Sequence, residues 1–203
     1  MRIVKKISGR DERTLFLSRV FDDVITRSDF PMNFDQLEFS IGYGKSSFLD
    51  DSAKIIINPN SPLLQNIDRR VAKTLITFEI YRLFVQKIFD MHLPRLIEDV
   101  TIGKKMVRYG YGDDLAYVFY ILMANQRITD IKSFIQFNLP WLVFRGEDKF
   151  YYYLFRHYAG SHKNMKYMIK TKKFFQSLQK DLLDAKNLKR CVQLYEEIVN
   201  AGN

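Results

Sequence analysis

The sequence predicts an α+β fold, mostly helical, with a small N-terminal β-sheet packed beside a central helix and a helical C-terminal extension. Three observations carry this. Apolar residues recur at helical spacing over most of the chain. The period switches to two between residues 36 and 58, where β-branched residues also concentrate. One segment, 66–89, is apolar on nearly every side, the pattern of a helix inside a fold rather than on its surface. At 203 residues, with no internal repeat and no Gly-, Pro- or Ser-rich linker, the chain is read as a single domain, 1–203: a core over 10–125 and a basic helical extension over 126–203.

The first helix is expected from Glu12 to Thr26, where Leu15, Phe16, Val20, Val24 and Ile25 keep helical spacing and Ser8 or Asp11 supplies a cap. Phe30 to Asn33 punctuates. From Gln36, Leu37, Phe39, Ile41 and Tyr43 alternate with polar residues as in a half-buried strand, which Gly42 and Gly44 close. After Asp50-Asp51-Ser52, the run Lys54-Ile55-Ile56-Ile57-Asn58 is a second strand, stopped by Pro59. The central helix runs from Asn66 to Phe89, capped by Asn66 or Asp68. Further helices are expected over Pro94–Tyr109, Asp113–Asn125 and Ile128–Phe137, with Gly110 and Gly112 as a helix stop. More helical segments follow, containing Tyr151 to Phe155, Met165 to Ile169, Phe174, Leu178, Leu182 and, in the last helix, Leu188, Val192, Leu194 and Ile198.

Composition removes several classes of protein. One cysteine, Cys191, forms no internal disulfide, and three histidines leave little for a structural metal cluster. No apolar run reaches the ~18 residues of a spanning helix, and the N-terminus lacks a secretory h-region, so the expected location is the cytoplasm, with no membrane partner. Cys191, beside Val192 on an amphipathic helix, reads as a buried small hydrophobe. The pairs Asp22-Asp23, Asp50-Asp51 and Asp113-Asp114 suit caps and turns better than acid–base work.

Two segments invite chemical readings. Gly42-Tyr43-Gly44-Lys45-Ser46 contains the GKS of a phosphate loop, but Phe39 stands where the first glycine belongs, and a turn and strand follow where a helix is required. A glycine-bearing turn is the expectation. The second segment is Phe78-Glu79-Ile80-Tyr81-Arg82 on the central helix. In a zinc-peptidase helix two histidines at i and i+4 face one metal, and a glutamate after the first is the general base. Here Glu79 is in place, while Phe78 and Arg82 occupy the ligand positions.

On this pattern the chain resembles a degenerate member of the zincin metallopeptidases. The resemblance implies a helix, a few strands and then the active-site helix, in which Lys54–Asn58 would be the edge strand. It also implies a carboxylate ligand on the next helix, matched by Glu98 or, second, Asp99. Phenylalanine cannot ligate a metal and arginine is a permanent cation, so catalysis, a bound metal and any other cofactor are not expected. Arg82 would instead pair with Glu98 or Glu79, replacing a lost cation, and the competing reading is an ordinary i, i+3 pair of Glu79 and Arg82 within the helix. His92, His157 and His162 lack the spacing to substitute. The implied function is that of a non-catalytic zincin-like protein that binds an unidentified protein partner through the former substrate cleft or a basic face. A metalloenzyme with rearranged ligands is a weaker reading.

The alternative comes from charge. The net charge is +9, of which +8 lies between Arg145 and Arg190. Lys163, Lys166, Lys170, Lys172 and Lys173, interleaved with Tyr158, Tyr167, Phe174 and Phe175, are candidate contacts for nucleic acid or another anion. The competing reading is a solvated helical face with aromatics turned inward. Tyr151 to Phe155 are likewise expected in the core.

Overall fold

A computed structural model describes residues 2–7, 11–27, 35–44, 46–49, 52–66, 68–89, 93–144, 161–180, 182 and 184–200. The fold is α+β and mostly helical. The chain forms two compact units, residues 1–92 with 109–118, and residues 93–108 with 119–203.

In the first unit, β1 (Arg2–Lys6) pairs in parallel with β2 (Gln36–Ile41), and α1 (Glu12–Arg27) makes the crossover that a parallel pair demands. Next come β3 (Ser47–Leu49) and β4 (Ser52–Ile57), giving the sheet order β1-β2-β4-β3. β4 is parallel to β2 and antiparallel to β3. The strand expected at the edge is therefore an inner strand; the edges are β1 and β3, and β3 is too short to show a period. A 3₁₀ turn (Pro62–Leu64) leads into α2 (Arg69–Ile88).

Alternation decides which face of the sheet is covered. Leu37, Phe39, Ala53, Ile55 and Ile57 are buried, together with Leu17, Val20, Phe21 and Val24 of α1. The rings of Phe21 and Phe39 stack at 4.1 Å. α2 packs against α1, β3 and β4. On the opposite face Glu38 lies between Lys6 (2.8 Å) and Lys54 (3.1 Å). α1 is capped by Asp11, which accepts from the Thr14 N–H at 2.9 Å, and α2 by Asp68, which accepts from Arg70 and Val71. Gly44, at φ +150°, lies against β4, where a Cβ would come 2.8 Å from Ile56 Cδ1.

The second unit is helical: α3 (Arg95–Arg108), the later part of α4 (Gly112–Asn125), α5 (Ile131–Phe137), α6 (Leu139–Val143), α7 (His162–Leu178) and α8 (Ala185–Asn200). Ile97, Val100, Phe134, Phe137, Phe174, Leu178 and Leu188 form its core. α3 packs on α6, and α5 and α8 on α7. Lys104 of α3 donates to the Leu178 carbonyl at the end of α7. Gly110 does stop α3, with φ +87°, whereas Gly112 opens α4. α5 begins at Ile131 rather than Ile128 because Asp130 and Ser133 form a capping box.

Candidate functional site

The segment that carried the zincin resemblance is the middle of α2. Asp68 fixes the helix register at its first turn, and Ile76, Ile80, Leu83 and Val85 anchor the helix in the core. That burial takes Arg82 inward with them, 8% exposed overall. A cation so placed is costly unless paired. Its Nε lies 3.2 Å from Oε2 of Glu79, one turn earlier, with side chains 10% and 21% exposed. Its guanidinium carbon also lies 5.5 Å from the centre of the Phe78 ring, a cation–π distance. Phe78, Glu79 and Arg82 thus form one local cluster.

These groups do not fit a zinc ion. Phe78 offers no lone pair, and Arg82 presents N–H donors and a positive charge to the carboxylate that would serve as general base. Tyr81 beside them is buried against Tyr109 and Tyr111, with ring centres 5.8 and 6.0 Å away. Burial, reinforced by the two neighbouring tyrosines, pushes its hydroxyl far above its ordinary value. Among the described residues no group of three or more His, Cys, Asp and Glu is arranged to hold a metal.

Glu98 and Asp99 are on the first turns of α3, in the second unit; both are half-buried, and Asp99 lies 3.9 Å from Arg95. Arg82 pairs with Glu79 within α2. His162 is exposed at the start of α7, and His92, His157 and Lys45 lie outside the described residues, as do Ser8, Phe30–Asn33, Asp50-Asp51, Tyr151–Phe155 and Tyr158. In the GKS segment, Ser46 leads into strand β3 and its hydroxyl accepts the Ile56 N–H at 3.1 Å. No helix N-terminus is offered to a phosphate there.

The five lysines are exposed on α7. Lys163 donates to the Thr129 carbonyl at 2.7 Å and lies over Tyr167. Phe174 and Phe175 are buried, and Phe134 packs against Tyr167 and Phe175. The lysines point out, and Phe174 and Phe175 point in. Sequence reasoning missed that Met165, Met168 and Ile169 are exposed on the same helix. The signal was Lys172, which continues their row. Cys191 is buried, and burial raises its thiol pKa, so it is a core residue rather than a nucleophile. No described helix is long and apolar enough to cross a membrane.

No protein-family profile, curated protein or solved structure matches the chain.

Proposed function

We propose that the chain is a non-catalytic, zincin-like binding protein whose α2 keeps the frame of a metallopeptidase helix without its metal. The observation that carries this reading is the Glu79–Arg82 pair, 3.2 Å apart and largely out of water. It supplies internally the positive charge that a metal would bring to that glutamate. The order α1, three strands, then the helix bearing Glu79 is in keeping with it. The cytoplasm is the location that goes with this reading. The nucleic-acid alternative retains the exposed lysines but has lost Phe174 and Phe175 as stacking surfaces.

The test is restoration of the ligands. Phe78→His with Arg82→His rebuilds a His-Glu-x-x-His helix, and a His pair at Lys166 and Lys170 on α7 serves as the control for two histidines one turn apart. The wild-type protein is expected to purify without stoichiometric zinc. The rebuilt helix is expected to bind zinc at least about tenfold more tightly than the control pair. Stoichiometric zinc in the wild type overturns the non-catalytic reading; equal affinity in the two variants overturns the zincin frame.

A further inference from the structure

Helix α7 carries five lysines and no acidic residue in its 17 positions. Its inward side takes Asn164, Thr171, Phe174, Phe175 and Leu178. The outward side has two rows. Met165, Met168, Ile169 and Lys172 follow i, i+3, i+4, i+7 spacing and share one stripe; Met165 is 45% exposed, Met168 39% and Ile169 72%. Beside it, Lys166, Lys170 and Lys173 make a second, exposed row. Lys163 is not part of it, being tied to Thr129.

Three kinds of partner meet these rows differently. A nucleic acid would satisfy the lysines through its phosphates but give Ile169 and the two methionines no apolar partner. An acidic helix from another protein would pair the lysines, but it would have to set carboxylates against Lys166, Lys170 and Lys173 and apolar side chains against Ile169 and the methionines in one register. At the surface of a bilayer, apolar side chains enter the headgroup boundary while lysines lay their stems along it and keep the charged ends among lipid phosphates. Four lysines on an amphipathic face are the number at which attraction to an anionic leaflet becomes substantial.

We propose that the exposed side of α7 is a peripheral docking surface for an anionic lipid bilayer. Met165, Met168 and Ile169 insert at the headgroup boundary, and Lys166, Lys170, Lys172 and Lys173 contact the lipid headgroups. The surface lies on the membrane rather than across it; it departs from the sequence expectation of no membrane partner, which rested on the absence of a spanning run, and it stands independently of the reading of α2.

The test is co-sedimentation of the purified chain with vesicles of phosphatidylcholine alone and of phosphatidylcholine mixed with phosphatidylserine, at low and physiological salt. A random single-stranded oligonucleotide is titrated in parallel. Binding is expected to the mixed vesicles, weaker with salt and weaker still to phosphatidylcholine alone. Lys170→Gln with Lys173→Gln is expected to weaken it about thirtyfold, and Ile169→Ser about tenfold, with an unchanged melting curve. Failure to bind mixed vesicles at low salt overturns the proposal. So does vesicle binding indifferent to Ile169→Ser, and so does oligonucleotide binding tighter than vesicle binding.

Discussion

Tyr117 donates its hydroxyl hydrogen to Asp68 across 2.8 Å, and the other oxygen of the same carboxylate accepts the Arg70 and Val71 N–H groups that begin α2. One side chain therefore caps the central helix and ties residues 109–118 to it. Burial opposes the charge of Asp68, but the hydrogen bonds from Tyr117, Val71 and Arg70 and the Arg70 charge outweigh it and hold the carboxyl below its usual range. Asp68→Ala is expected to cost about 1–2 kcal/mol in urea unfolding, and Tyr117→Phe to lower stability by a smaller amount. The double variant should fall short of their sum, because both remove the same bond. Full additivity would show that the two do not act together.

Glu38 gives a pH dependence with a definite sign. The hydrogen bond from Lys6 comes first; burial works against it, and Lys54 and Ser40 add to it, so its carboxyl falls from 4.5 to about 2. A carboxylate with a lowered folded pKa stabilises the fold above its unfolded value. That contribution is complete above pH 4.5 and is lost as pH falls toward 2. Glu38→Gln is expected to flatten the stability curve in that window. At neutral pH it should cost only about 1 kcal/mol, since both lysines reach solvent. A variant whose acid unfolding retains the wild-type midpoint and steepness would sink this assignment.

Arg82→Ala leaves Glu79 facing a low-dielectric surround without this cation. A loss of about 2–4 kcal/mol is expected by chemical denaturation. Arg82→Lys should fall between alanine and wild type, keeping the charge but not the flat face over Phe78. If Arg82→Ala unfolds like wild type, the pair carries no structural weight.

Gly103 of α3 faces Val143 of α6 so closely that a Cβ would come 2.6 Å from Val143 Cγ2. Gly103→Ala should cost about 1–3 kcal/mol despite the better helix propensity of alanine. Adding Val143→Ala should recover part of that loss. A Gly103→Ala melting temperature above wild type would show that α6 yields at no cost.

The helices that were legible are those whose boundaries are set locally. α1 begins after Asp11 and α2 after Asp68, each marked by a capping side chain ahead of an apolar run. β1 was not legible because Arg2–Lys6 shows no alternation: it is exposed along most of its length, and it is a strand only because Gln36–Ser40 lies alongside. β3 escaped for the same reason, with three residues and a partner in β4. At the candidate site, the i, i+3 spacing of Glu79 and Arg82 already allowed their pairing, and the apolar surroundings implied its burial. The cation–π contact with Phe78 depends on a side-chain orientation that spacing does not specify. On α7, periodicity placed Met165, Met168 and Ile169 on a helix, but only the identity of the inward face, set by Phe174 and Leu178, shows them turned away from the core.

The first compact unit is assembled from two separate stretches of chain, 1–92 and 109–118. No single cut releases it whole. A fragment ending at residue 92 would keep the sheet, α1 and α2, yet it would lose Tyr109 and Tyr111 from the ring of Tyr81, Tyr117 from Asp68 and Asp114 from Arg70. Its central helix would be capped at one end and stripped along one flank. A protease that nicks the chain between residues 92 and 109 should therefore leave two pieces that stay together until denaturant is added.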